Sequence, residues 1–333
     1  MISVAMLSRW HVHANDYARQ AGQHPDIRIA AVWDEQPERG RAWANELGVP
    51  FYERLEDVLG RADIDGVIVD APTNMHRAVI TAAARARKHV FTEKVLGLTV
   101  RECDEILAAV ADAGVQLMLS LPRLTDPYYL AVQKLVDAGQ LGAVTSVRCR
   151  LAHNGAVPSE GRPHGWLPAH FFDPVACGGG ALIDLGAHPI YLANRLAGRP
   201  KAVTARFHSV FGHPVEDNAA VIVEYETGAL AVLETGFTSG GSPFLLEVHG
   251  TDGSVMVEDT QVRARARGVQ NGEWFAPEPA AAVPRPLEQW AAAIASGAGP
   301  TIGQADMRAL TLVNEAAALS AQDGRRVEAA AIG

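Results

Sequence analysis

Short runs of β-prone apolar residues alternate with helical patterns from Ile2 to Leu119, and no other feature restricts the fold as strongly. Ile2–Leu7, Ile27–Trp33, Gly66–Val69, His89–Thr92 and Gln116–Leu119 read as strands. Residues 14–22, Pro37–Leu47, His76–Arg87 and Arg101–Ala113 read as helices, with a shorter one through Asp57–Arg61. Gly48 and Gly114 stand where two of them should stop. Strands separated by helical spacers of this length need crossover connections, and crossovers build a parallel sheet. Residues 1–121 are therefore expected to form a doubly wound α/β domain.

The pattern changes after Leu121. A helix over Tyr128–Ala138 and a strand over Val144–Leu151 lead into an irregular Gly/Pro/His-rich stretch, Asn154–Gly180. A loop of that length in a compact domain is usually functional. A single helix is expected from Gly180 to Leu196. Strands at Ala202–Val210, Asn218–Glu226, Ala229–Phe237, Phe244–Gly250 and Gly253–Glu258 then follow with short links, and Tyr225–Gly228 reads as a hairpin turn. Helices at Pro286–Ala295 and Ala305–Ala321 close the chain. Residues 122–333 are thus expected to form an α+β domain with a mostly antiparallel open sheet, whose exposed face would suit a homodimer or homotetramer.

At 333 residues the chain is too long for one ordinary core, which agrees with two domains. Its formal charge of −9 argues against nucleic acid and acidic membranes as partners. Cys103, Cys149 and Cys177 form no CxxC pair, so neither a zinc site nor a disulfide framework is indicated. The N-terminus opens on a strand rather than a signal peptide, and a cytoplasmic protein is expected.

A strand, a tight loop and a helix at the start of a parallel sheet form the usual seat of a dinucleotide pyrophosphate, because the helix N-terminus offers free N–H groups. The usual G-x-G-x-x-G is missing, since the loop reads Ser8-Arg9-Trp10-His11-Val12-His13. Ser8, Arg9, Trp10 and His11 become the candidate contacts, with Ser8 and Arg9 able to meet phosphate oxygens. For His11 and His13, local packing is an equal alternative. Asp34 ends the second strand, where a carboxylate bonds the adenine ribose and repels a 2′-phosphate, favouring NAD over NADP. Its plainer role would be a helix cap. Pro72, Thr73, Asn74 and His76 follow the third long strand and lie at the expected ligand crevice, or simply start a helix.

The run Lys88-His89-Val90-Phe91-Thr92-Glu93-Lys94 resembles the GKHVxxEKP signature of the glucose–fructose oxidoreductase/inositol dehydrogenase/MocA family. Further landmarks follow in order: Asp65–His76 around its turn, Arg123, Gly178–His188 as GGGxLxDxGxH, Glu216-Asp217-Asn218, His249–Ser254 and Gly324–Val327. The resemblance spans essentially the whole chain. It implies a Rossmann domain that binds NAD, with Glu93 and Lys94 beside the cofactor, and Asp184 and His188 of the second domain facing it. Oxidising a secondary alcohol needs a base for the hydroxyl proton while hydride moves to the nicotinamide. His188 suits the base, Asp184 an orienting group, and Lys94 the stabiliser of developing alkoxide charge. Four residues apart on one helix, Asp184 and His188 should share a face. Val95 replaces the signature's proline. A cis peptide before a non-proline residue costs about 3 kcal/mol, so a different turn is expected there.

Arg123, His153, Trp166 and His170 are the candidate substrate contacts, together with Asp184 and His188, since rings and scattered hydrogen-bonding groups suit a sugar face. The histidines of the irregular stretch lack H-x-x-x-H or HExxH spacing, and no metal is expected. The leading reading is an NAD(H)-dependent oxidoreductase acting on a sugar, cyclic polyol or derivative. A non-catalytic dinucleotide or sugar sensor and an NAD-dependent glycosidase are the alternatives.

Overall fold

The computed structural model describes all 333 residues, which divide into two compact units. The first comprises Met1–Ser120 and Pro284–Met307, the second Leu121–Val283 and Arg308–Gly333.

In the first unit the chain runs β1 (Ile2–Leu7), α1 (Ala14–Gln23), β2 (Ile27–Trp33), α2 (Pro37–Leu47), β3 (Phe51–Tyr52), α3 (Leu55–Leu59), β4 (Gly66–Val69), α4 (His76–Arg85), β5 (His89–Thr92), α5 (Val100–Ala113) and β6 (Leu117–Leu119). The sheet order is β3-β2-β1-β4-β5-β6, all parallel. Every residue of β1 is buried, as a central strand covered on both faces requires. The strand order reverses between β1 and β4, and ligands bind outside the carboxyl ends of the strands at such a switch point. Local signals set the helix ends. Thr99 accepts the Glu102 N–H at the start of α5, and Gly114 stops the helix at φ 65°. The Lys94–Val95 peptide is cis, so the different turn expected from Val95 is not found.

The second unit contains α6 (Pro127–Asp137), β7 (Val144–Ala152), α7 (Pro174–Cys177), α8 (Ala181–Asp184), α9 (Ala187–Ala197), β8 (Pro200–His208), β9 (Asn218–Tyr225), β10 (Leu230–Gly236), β11 (Leu245–Gly250), β12 (Gly253–Glu258) and β13 (Gln261–Ala266). Its sheet runs β13-β12-β11-β7-β10-β9-β8-β14, with β14 at Val327–Glu328. All pairs are antiparallel except β7 with β10. Along β9, Ala219, Val221, Val223 and Tyr225 point inward, while Ile222 is exposed. This is the period-two pattern of a sheet with one covered face.

The helix expected over Gly180–Leu196 is two helices. Gly186 lies between them, and a Cβ there would stand 2.7 Å from the Leu182 carbonyl oxygen. Its N–H reaches back to Ala181 O instead of continuing the regular ladder. Asp184 therefore ends α8 while His188 sits in the first turn of α9, and the argument from one shared helical face is corrected.

After β13 the chain returns to the first unit through α10 (Pro286–Ser296), before α11 (Gln304–Asp323) begins. A single cut between 121 and 122 does not describe this course. The reason is Trp290, which is buried with its ring edge-on to Phe91 at 6.0 Å.

Candidate active site

Ser8, Asp34, Asp70, Glu93 and Ser120 each follow the carboxyl end of a strand of the first sheet, so the topology alone gathers polar groups there. Ser8 is buried and holds φ at 75°, the left-handed conformation for which the fingerprint's first position uses glycine. The turn thus survives without its glycine. Trp10 takes the position where glycine normally lets the backbone approach phosphate, and the residue is 7% exposed.

Most of the turn's N–H groups are already engaged. Those of Ser8, His11 and Ala14 donate to Trp33 O, Asp70 O and His11 O. Those of Arg9, Trp10 and His13 donate to Asp34 Oδ2, Ser8 Oγ and His11 Nδ1. The Arg9 guanidinium bonds Glu46 and Asn15 and lies 5.7 Å over the Trp43 ring.

Asp34 is buried, and its two oxygens accept from the backbone N–H groups of Arg9 and Gln36 and from Arg39 Nη2 and Nε at 2.7 and 2.9 Å. It is already paired with a guanidinium, a partner that sequence reasoning did not identify. Thr73 and Asn74 lie in a short 3-10 turn after Pro72. His76 is buried, with ring nitrogens facing Val95 O at 2.8 Å and Ala71 O at 3.1 Å. These contacts tie the turn after β4 to the backbone beside Lys94.

Glu93 and Lys94 are both buried, Lys94 with 5% exposure. Glu93 Oε1 accepts from Tyr17 and, at 2.8 Å, from His13 Nδ1, while Oε2 accepts the Lys94 N–H at 3.0 Å. Although burial opposes ionisation, His11, His13 and Lys94 hold the Glu93 carboxyl well below the usual range. Asp70, fully buried, is pushed well above it, by burial first and then by the Glu93 charge.

In the second unit, α8 starts on a template made by Glu216. Its carboxylate accepts the Gly180 and Leu182 N–H groups and its carbonyl accepts that of Ala181. Beneath lies an apolar cluster containing Leu167, Phe171, Phe172, Ala181 and Phe237. Asp184 and His188 are half-buried. His188 Nδ1 shares a 2.7 Å hydrogen bond with the Tyr191 hydroxyl, which also accepts the Arg123 N–H at 3.2 Å. The Arg123 side chain is engaged by the Tyr128 hydroxyl at 2.7 Å and lies over the Phe244 ring. His153 stacks on Phe237 and neighbours Trp166, which is half-exposed and bonds Asn154. Burial holds His153 below its ordinary pKa while the Asp184 charge works the other way, so these two candidates are electrostatic neighbours. His170 packs beside Phe171, and its carbonyl accepts from the Cys177 thiol.

The strand order, the left-handed Ser8 and the residues after β4 and β5 fit a dinucleotide. The engaged amides mean that side chains, rather than a glycine turn, would meet its phosphates.

Comparison with known proteins agrees. The family described as oxidoreductase family, NAD-binding Rossmann fold matches residues 10–121, and the GFO/IDH/MocA C-terminal domain matches residues 129–256. Inositol 2-dehydrogenase of Rhizobium meliloti is 26% identical over 94% of this chain and 95% of its own. D-xylose 1-dehydrogenase (NADP(+)) 2 of Haloferax volcanii is 27% identical over 93% and 94%. The solved structure of GenD2 from gentamicin A biosynthesis in complex with NAD superposes with a TM-score of 0.81 at 26% identity, covering 98% of this chain and 96% of that one. With both of its units matched, the chain belongs to the GFO/IDH/MocA oxidoreductases, enzymes built on an NAD-binding Rossmann fold.

Proposed function

We propose that this enzyme transfers a hydride between NAD(H) and a CH–OH or C=O carbon of a sugar, a cyclic polyol or a derivative. The observation that carries this reading is the fixed imidazole of His188, held through Nδ1 by Tyr191. With Nδ1–H donated to the phenol oxygen, Nε2 keeps its lone pair and serves as the base for a substrate hydroxyl. Asp184 holds a substrate hydroxyl or steadies the imidazolium that forms. The Lys94 ammonium stabilises alkoxide charge at the reacting oxygen. His153, Trp166 and His170 supply the rings and polar edges of a sugar-binding surface, and Arg123 keeps Tyr191 in register. Bound dinucleotide supplies the hydride acceptor or donor. Ser8, Arg9, Trp10, His11, Pro72, Thr73, Asn74 and Glu93 are the residues that would hold it, with Asp34 at the ribose.

Asp34 supports NAD, and the proximity of Arg39 gives NADP a specific second reading, because a guanidinium can receive a 2′-phosphate. The exposed apolar residues Ile222, Leu230 and Val232 on neighbouring strands support self-association through the open sheet face. The buried free cysteines suit a reducing compartment such as the cytoplasm. No helix is long and apolar enough to cross a membrane.

The test is NADH production over a panel of polyols and aldoses, with NAD and NADP compared. His188→Ala should lower kcat by about 100-fold or more while dinucleotide binding persists. Unchanged turnover would remove His188 as the base. Cleavage of a glycoside without accumulation of NADH would favour the glycosidase alternative.

A further inference from the structure

The glycine-less turn carries a cluster, two of whose members also border the dinucleotide seat proposed above, with no part in the proton and hydride steps. His11 and His13 flank Val12 on the loop, and the residue after β5, Glu93, comes to them from 80 positions beyond His13. His13 Nδ1 is 2.8 Å and His11 Nδ1 3.9 Å from Glu93 Oε1, and one ligand atom from each of the three residues lies within 4.8 Å of the others. Ligands at the 2.0–2.1 Å bond lengths of tetrahedral zinc stand about 3.3 Å apart, so small side-chain rotations would close the set around one ion.

A second observation points to a cation. Asp70 is 0% exposed, its carbonyl accepts the His11 N–H, and neither oxygen of its side chain has a hydrogen-bond partner. Ionised, it is a buried carboxylate within electrostatic reach of a second, Glu93. Neutral, it is a buried hydroxyl donor with no acceptor. Either state is costly, and buried charges of this kind are normally paired or coordinate metals. The supporting contacts are also in place: Tyr17, bonded to Ser120 at 2.7 Å, donates to Glu93, and the Lys94 N–H fixes the other Glu93 oxygen. Such outer contacts orient a ligating carboxylate.

We propose that His11, His13 and Glu93 bind a divalent transition-metal ion of the Zn2+ class, with the buried Asp70 carboxylate as a nearby charge that the ion offsets. Two imidazoles with carboxylates select zinc-like ions over Mg2+ and Ca2+, which take oxygen ligands. The ion would place positive charge at the turn whose amides are engaged internally.

The experiment uses the full-length chain, stripped with EDTA and titrated with Co2+, whose visible absorption reports nitrogen and oxygen ligation. Zn2+ then competes, and metal content is measured by mass spectrometry after gel filtration. One ion per chain is expected, with chelator lowering the Tm of the loaded protein. His13→Gln, at a partly exposed position, should weaken binding at least tenfold and abolish the Co2+ spectrum while leaving the far-UV spectrum of the fold unchanged. Asp70→Asn should weaken binding while raising the Tm of the metal-free protein, which loss of a purely structural contact would not do. Sub-stoichiometric metal, or Co2+ binding unchanged in His13→Gln, would overturn the proposal. Both readouts are independent of turnover, so failure of the metal site and failure of the oxidoreductase assignments are told apart.

Discussion

His89 opens β5, half-buried, and its Nδ1 accepts the Gln116 N–H at 2.9 Å. Only the neutral ring can accept there. Burial holds its pKa below the ordinary value, with Asp65 pulling the other way. The native state therefore takes up this proton at lower pH than the unfolded chain does. As pH falls from the unfolded value near about 6.5, the unfolded chain protonates first and stability is lost down to the folded value. His89→Gln retains an acceptor and does not titrate. Urea denaturation between about pH 7.5 and 5.5 should show a shallower loss of stability in the variant than in the wild type. Equal slopes would contradict the assignment. His89 also marks how far residue identity carries. It was legible as part of a signature, yet its bond to Gln116 was not. The same holds for Asp34, whose place after β2 follows from periodicity while its Arg39 partner follows from the turn of α2. The cluster of His13 with Glu93 was invisible because a separation of 80 positions carries no local pattern.

At the scale of the element, periodicity located the parallel strands because central strands are uninterrupted apolar runs bounded by glycine and polar residues. It failed where tertiary contact overrides local preference. The break between α8 and α9 depends on Gly186 meeting Leu182, and β13 escaped notice because its outward Arg263 and Arg265 dilute the apolar alternation. Gly180 is the sharper case. It read as one of three glycines in a signature, but a Cβ there would lie 1.9 Å from the Glu216 carbonyl oxygen. The close approach lets the Glu216 backbone and carboxylate together start α8, the helix that ends in Asp184. Gly180→Ala forces backbone apart and should cost about 3 kcal/mol, read as a lowered midpoint in denaturant. Activity should fall further than stability explains, because Asp184 moves with its helix. Wild-type stability in this variant would show that the contact is not needed.

At the scale of the whole molecule, the chain does not finish its first unit before starting the second. The parallel sheet was legible up to Leu119, but nothing in the composition of Pro284–Met307 says which core that segment joins. The structure answers with one side chain. Trp290 is buried on α10, meets Phe91 edge-on, and fills the space that a side chain at Gly66 would occupy, at 2.9 Å from a Cβ there. Gln289 beside it accepts from the Thr301 N–H and hydroxyl at 2.8 and 3.0 Å, anchoring the segment that follows the helix. The glycine on β4 and the tryptophan on α10 are thus complementary halves of one packing contact, separated in sequence by the Leu121–Val283 part of the second unit. Removing the ring leaves a cavity against β4 and β5 that these strands cannot collapse to fill. Trp290→Ala should cost about 3–5 kcal/mol, and a fragment ending at Ser120 should lack cooperative unfolding. The same fragment joined by a flexible linker to Pro284–Met307 should recover it. If residues 1–120 unfold cooperatively alone, with the midpoint of the linked form, the returning segment contributes nothing to that core.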